Sequence, residues 1–184
     1  MKKMFFKSLK MALAAVFLFA LLSCGKTGTF ELKSTAFNNG ERIPGKYYYG
    51  AERENLSLPF NWVNPPAGTK SFALFIYNHN SRVNWAVFNI PANCTSIAEN
   101  ASSRNMPAGS VEVAGISRKI GYSGMEPPGQ KTQTHQYYAV LYALNTDAIT
   151  IAEPDVYKSL PDLKSILDGK IIAQAEINGF AQVE

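Results

Sequence analysis

Residues 71–91 read SFALFIYNHNSRVNWAVFNIP, and the fold turns on how this stretch divides. Residues 71–77 and 85–90 are apolar runs of strand length, rich in Phe, Ile and Val. FALFIY is apolar on both faces, as a central strand covered on each side must be. Periodicity alone leaves a buried helix open, and the aromatic content and bounding Asn and Pro residues decide for strand. Between the runs stand amides and an imidazole, with no carboxylate. The stretch is therefore a site, a former site or only a turn.

Working outward, the same signature recurs. Residues 137–144 (YYAVLYAL) are again apolar on both faces. Residues 171–177 alternate instead, with Ala173, Ala175 and Ile177 on one face and Gln174, Glu176 and Asn178 on the other, which suits a half-exposed position. Residues 30–35 form a short strand candidate before the turn chemistry of Asn38-Asn39-Gly40. One helix is legible near 161–168: Leu160, Leu163, Ile166 and Leu167 share a face, Pro161 sits in the first turn, and Gly169 supplies a left-handed stop. Long polar connections span 40–55, 93–109 and 115–133. A mainly β domain with one short C-terminal helix is expected over residues 30–184, with 46% apolar content across 184 residues sufficing for one core.

The N-terminus belongs to another physical class. Lys2, Lys3, Lys7 and Lys10 precede an uncharged apolar run over 11–22, short of the ~20 residues of a membrane span but right for a signal-peptide core. It ends in Leu21-Leu22-Ser23-Cys24-Gly25, which resembles a bacterial lipoprotein signal. The reading is a signal over 1–23, an acylated Cys24 and a tether over 24–29; the alternative is an ordinary secretory signal with a chance cysteine. Loss of the four lysines leaves 14 basic and 14 acidic residues, so the pI of 9.0 carries no argument for nucleic acid. With Cys24 acylated, Cys94 has no partner for a disulfide.

Five ordered pieces then carry a family resemblance. They are Asn55-Leu56-Ser57 with Pro59 and Trp62, PPAGTKSFAL (65–74), NWAVFNIPAN (84–93), GYSGMEPPG (121–129), and His135-Gln136-Tyr137 leading to LYAL, with IIAQAEINGF at the end. Together they resemble the bacterial branch of the phosphatidylethanolamine-binding protein family, the Raf kinase inhibitor-like proteins. The resemblance implies a two-sheet antiparallel β-sandwich with Greek-key connections and a small anion pocket at one end. It implies binding of phosphate-bearing head groups, or inhibition of kinases or proteases, rather than enzymatic activity. By the same resemblance Asn78, Asn80, Asn84, Trp85, Gly124, His135 and Tyr137 fall on the pocket.

The departures fall on that pocket. The family's Asp-x-Asp-x-Pro segment reads Asn78-His79-Asn80-Ser81-Arg82, its His-Trp pair reads Asn84-Trp85, and the first proline of its Gly-Pro-x-Pro-Pro loop is Met125. An upstream Asp is Glu52. Each asparagine offers two N–H donors and a carbonyl acceptor. Neutral hydrogen bonds contribute about 0.5–1.5 kcal/mol each and charge-assisted ones roughly twice that. Two outcomes stay open: a polar pocket retuned toward neutral ligands, or amides that satisfy only one another and the turn.

Catalytic residues are not expected, because Ser81 and Cys94 lack a base in any recognisable motif. No metal or cofactor is expected either, since the two histidines, His79 and His135, lie 56 positions apart without a Cys or carboxylate cluster. Residues 121–129 lack the Lys and opening helix of a phosphate loop. The expected function is a lipid-anchored, non-catalytic binding module in the bacterial cell envelope, Gly25 after Cys24 pointing to the outer membrane. The alternative is a protein-interaction module or a kinase or protease inhibitor, working through loops such as 47–54 and 100–109.

Overall fold

The computed structural model describes residues 28–50, 53–129 and 133–183; the signal, Cys24 and Glu52 lie outside them. In chain order the elements are β1 (Glu31–Lys33), β2 (Phe60–Val63), β3 (Ser71–Asn78), β4 (Val83–Pro91), β5 (Ser96–Ile97), β6 (Val111–Val113), β7 (His135–Leu144), α1 (Leu160–Ile166) and β8 (Ile171–Ala181), with a 3₁₀ turn at Gly45–Tyr47. They build two antiparallel sheets, one ordered β1-β2-β5 and one ordered β6-β4-β3-β7-β8. β7 returns to lie beside β3 rather than β6, the Greek-key order. No helix among the described residues is long and apolar enough to cross a membrane.

Both faces of the larger sheet are covered, which is why β3 and β7 read as apolar throughout. One face carries Phe72, Leu74, Ile76, Trp85, Val87 and Leu141 against Phe60 and Trp62 of the smaller sheet. The other carries Phe75, Ala86, Phe88, Val140 and Tyr142 against Leu160, Leu163 and Leu167. Phe75 packs edge-on to Phe88 at 5.2 Å, and a side chain of its size contributes about 1.5–3 kcal/mol when fully buried.

β4 is bent twice, and each bend carries an asparagine. The register steps from Ile76↔Trp85 to Tyr77↔Val83, so Asn84 is the extra residue of a bulge. A second shift falls between the pairs Leu74↔Val87 and Phe72↔Ile90, where Asn89 adopts φ +56°. In a regular strand Val83 and Trp85 would share a face, as would Phe88 and Ile90. The bulges separate each pair, sending Val83 and Phe88 toward α1 and Trp85 and Ile90 between the sheets. Asn89 donates to the Ile149 carbonyl at 3.0 Å and accepts from its N–H at 2.8 Å, tying the bulge to the loop before α1.

The helix follows its apolar pattern to within a residue or two, spanning Leu160–Ile166 with Leu167 at its C-cap. Ser159 and Asp162 form a reciprocal capping box, and Pro161 lies in the first turn. The Leu167 N–H already turns to the Lys164 carbonyl, and Gly169 at φ +71° leads the chain into β8. In β8, Ala175 and Ile177 are buried while Gln174 and Glu176 are exposed, as the alternation requires.

Candidate functional site

The predicted site residues gather at the end of the large sheet where β3 leaves and β7 enters. Asn78 and Tyr137 are direct cross-strand partners, and Gly124 crosses this end within the connection from β6 to β7. The residues do not share one role.

Asn78 turns into its own chain. Its Oδ1 accepts the N–H groups of Asn80 at 2.9 Å and Arg82 at 3.0 Å, and the Ser81 N–H reaches the Asn78 carbonyl. Ser81 stands at φ +59°, so the segment is a tight Asx-type turn held by the amide. Asn80 is exposed on that turn.

Asn84 is 3% exposed, and its Nδ2 donates to the carbonyls of Ser123 and Gly124, both at 3.0 Å. Two acceptors fix the amide orientation and leave Oδ1 buried with no partner among the described residues. The bulged amide thus clamps the 121–125 segment to β4, a job that the Ser123 N–H to Asn84 carbonyl bond reinforces.

Gly124 is where three segments meet. Its N–H donates to Asn55 Oδ1 at 2.7 Å, and a Cβ there would lie 2.5 Å from the Tyr48 carbonyl carbon and the Tyr49 nitrogen. Met125, fully buried, pairs with Tyr48 through a parallel bridge. Its N–H donates to the Tyr47 carbonyl and its carbonyl accepts from the Tyr49 N–H. A proline at 125 would have no N–H to give. The Tyr122 hydroxyl donates to the Tyr47 carbonyl and contacts Met125 Sδ at 3.0 Å.

Glu126 straps this segment to β7 through its backbone. Its N–H donates to the Tyr137 hydroxyl at 2.9 Å, and its carbonyl receives that hydroxyl and His135 Nδ1 at 3.1 and 2.8 Å. Burial pushes the Tyr137 phenol up to about 12. Trp85 lies in the core, its Nε1–H donating to Glu112 Oε1 at 2.6 Å. Glu112 also accepts from Ser102 Oγ and the Ser103 N–H, and Ser102 Oγ accepts from Tyr122 N–H, so one carboxylate organises the approach to the loop.

Several of these partners were not legible in sequence: Glu112, Asn55 as a clamp for Gly124, and His79. Asn55 at φ +53° is the kind of residue that tolerates the left-handed region, which is its one local signal. His79 continues the ladder through its N–H to the Gln136 carbonyl, and its ring stands 5.3 Å from that of His135. Burial raises the Cys94 thiol, which lowers its thiolate fraction.

Beside the strap lies an open depression of about 190 Å³ lined by Tyr49, Ile116, Ser117, Lys119, Ser123 and Glu126. Asn78, Asn80 and His135 do not line it. It touches the site through Ser123 and Glu126, the two residues that Asn84 and His135 hold by their carbonyls.

Comparison with known proteins gives a consistent set of relatives. A family profile described as phosphatidylethanolamine-binding protein matches residues 33–182. A UPF0098 protein of Methanothermobacter thermautotrophicus is 35% identical over 155 residues, covering 82% of this chain and 97% of its own length. One of Aquifex aeolicus is 30% identical over 172 residues, covering 88% and 93%. The crystal structure of Escherichia coli YbcL, described as a new member of the mammalian PEBP family, superposes with a TM-score of 0.75 at 28% identity, over 84% of this chain and 99% of that one.

Proposed function

The chain belongs to the phosphatidylethanolamine-binding protein family, and on that premise we propose a lipid-anchored, non-catalytic module that binds a small polar head group. The observation that carries the reading is the 190 Å³ depression at Ser123 and Glu126. Sites for drug-sized ligands run to about 300–1,000 Å³, so this one suits a head group rather than a whole lipid. Its lining is matched to a zwitterion: Lys119 supplies a cation for a phosphate, Ser117 and Ser123 supply hydroxyls, and Glu126 supplies a carboxylate for an ammonium. Acylation at Cys24 would hold the domain near a membrane surface, where such groups are abundant.

The full chain in detergent, titrated with phosphate, phosphoethanolamine and ethanolamine under thermal-shift and calorimetric readouts, tests the reading. Phosphoethanolamine at 100 times its Kd should stabilise the fold by about 2.7 kcal/mol. Lys119→Ala should weaken phosphate-bearing ligands while leaving ethanolamine alone. Absence of stabilisation by all three ligands sinks the head-group reading. For the anchor, Cys24→Ser should abolish acyl labelling and move the protein out of the membrane fraction.

A second reading, protein interaction, draws on Tyr49, which is 56% exposed next to Tyr48 and the Arg53 guanidinium stacked 4.9 Å above the Tyr48 ring. A photocrosslinker at Tyr49 that captures one discrete envelope protein, and loses it on Arg53→Glu, would favour it.

A further inference from the structure

The chain has two histidines, and the β3–β7 ladder brings them together. His79 sits one residue beyond β3, its backbone held by the 3.0 Å bond from its N–H to the Gln136 carbonyl. His135 opens β7. The ring centroids are 5.3 Å apart with the planes inclined at 50°. We propose that His79 and His135 form a two-imidazole chelate for a borderline transition-metal ion, Cu²⁺ foremost, at the open end of the large sheet.

Three observations carry this. The first is separation. With metal–nitrogen bonds of about 2.0–2.1 Å, each ring centroid lies about 3.2 Å from the ion. Two imidazoles in adjacent positions then stand about 4.5 Å apart at the right angle of a tetragonal Cu²⁺ site and about 5.2 Å apart when that site is distorted toward a tetrahedron. The observed spacing is of that size. The second is tautomer. His135 Nδ1 faces the Glu126 carbonyl at 2.8 Å, an acceptor, so the neutral ring carries its proton on Nδ1 and its lone pair on Nε2. A backbone carbonyl on the far nitrogen is also the usual support of a metal-binding imidazole. The third is availability. The ring nitrogens of His79 have no hydrogen-bond partner among the described residues, and His79 is exposed.

The neighbours narrow the ion. Among the described residues no third His, Cys, Asp or Glu completes a ligand set. Asn78 spends its Oδ1 on its own turn, so it does not compete. Two neutral nitrogens with the remaining positions open to water follow the affinity order that places Cu²⁺ above Ni²⁺ and Zn²⁺ and far above Mg²⁺, an oxygen-seeking ion. The site stands apart from the head-group depression, whose lining includes neither histidine.

The test is calorimetric titration of the full chain in detergent micelles with Cu²⁺, Zn²⁺ and Mg²⁺, with electron paramagnetic resonance of the one-equivalent Cu²⁺ complex. The expected result is one Cu²⁺ per chain with nitrogen hyperfine structure from two imidazoles, weaker Zn²⁺ and no Mg²⁺ binding. His79→Gln and His135→Gln should each lower Cu²⁺ affinity by about tenfold or more, since losing even an outer-shell partner commonly costs that much. His79→Gln lies on an exposed turn, and an unchanged thermal midpoint certifies its fold. One-equivalent Cu²⁺ binding that His79→Gln leaves intact, a spectrum with a single imidazole, or no binding at all would each overturn the proposal.

Discussion

Replacing Asn84 by alanine removes both hydrogen bonds that hold the 121–125 segment to β4. Ser123 is 5% exposed and Gly124 is buried, so water does not readily replace the amide at their carbonyls. A typical hydrogen bond contributes about 0.5–1.5 kcal/mol net, and a buried acceptor left unpaired costs about 1–3 kcal/mol. Two such losses exceed that range, but alanine also removes the unpartnered Oδ1, which offsets one of them. The balance is a loss of about 2–4 kcal/mol. At about 2–4 °C per kcal/mol for a chain of this size, the midpoint should fall by about 5–15 °C. Urea unfolding followed by far-ultraviolet circular dichroism measures the free-energy loss and a thermal melt the midpoint, and an unchanged m-value confirms that the two end states are the same. Asn84→Asp sharpens the test because shape is preserved while the donor is lost. A carboxylate facing two carbonyl oxygens should destabilise more than alanine at neutral pH and recover on acidification, when the protonated carboxyl donates again. If Asn84→Ala shifts stability by less than about 0.5 kcal/mol, or Asn84→Asp matches the parent at neutral pH, the clamp does not exist as described.

Three further outcomes follow from the same geometry. Asn89→Ala should cost about 2–3 kcal/mol by chemical denaturation, from two lost bonds to Ile149 and a left-handed backbone that alanine tolerates poorly; Asn89→Gly, which keeps φ +56° available, should cost less. Gly124→Ala should destabilise by about 2 kcal/mol or more, since its Cβ would meet Tyr48 and Tyr49 backbone atoms at 2.5 Å, and a thermal melt like that of the parent would contradict the packing. Burial holds the Tyr47 and Tyr137 phenols up at about 12, against about 10 in the unfolded chain, so their neutral forms stabilise the fold fully below pH ~10 and that contribution is lost as pH rises through ~12. Absorbance at the phenolate band should therefore rise together with unfolding in that window; titration of all phenols near pH 10 with the fold intact would refute it.

The legible part of this molecule is what side-chain chemistry repeats over many residues. β3, β4, β7 and β8 announced themselves because six or more consecutive positions obey one burial rule. β2, β5 and β6 did not, being four, two and three residues long. Strands that short take their conformation from pairing rather than from their own composition. The strand candidate at 30–35 shrinks to Glu31–Lys33 for the same reason, since it extends only where β2 offers partners. At the site, Gly124, His135 and Tyr137 were singled out by the motifs that hold them; His135 and Tyr137 meet at the Glu126 backbone, while Gly124 is held by Asn84 and Asn55. Glu112 carries no local sign of its role, because its three donors come from residues 85, 102 and 103.

The sequence by itself determined the class of fold and the place to look. Two-faced apolar runs demand cover on both sides, and clustered amides, glycines and prolines mark where chain leaves the sheets. Tertiary structure decided what each amide does. Asn78 closes a turn, Asn84 clamps a loop from a bulge and Asn89 braces a second bulge, although all three are the same side chain in one fifteen-residue stretch. It also decided that His79 and His135 are neighbours, since the contact depends on the register of two strands that are far apart in the chain. An amide or imidazole has no intrinsic preference among these uses. The partner presented to it sets the role, and partners separated by tens of residues are fixed only when the sheets close.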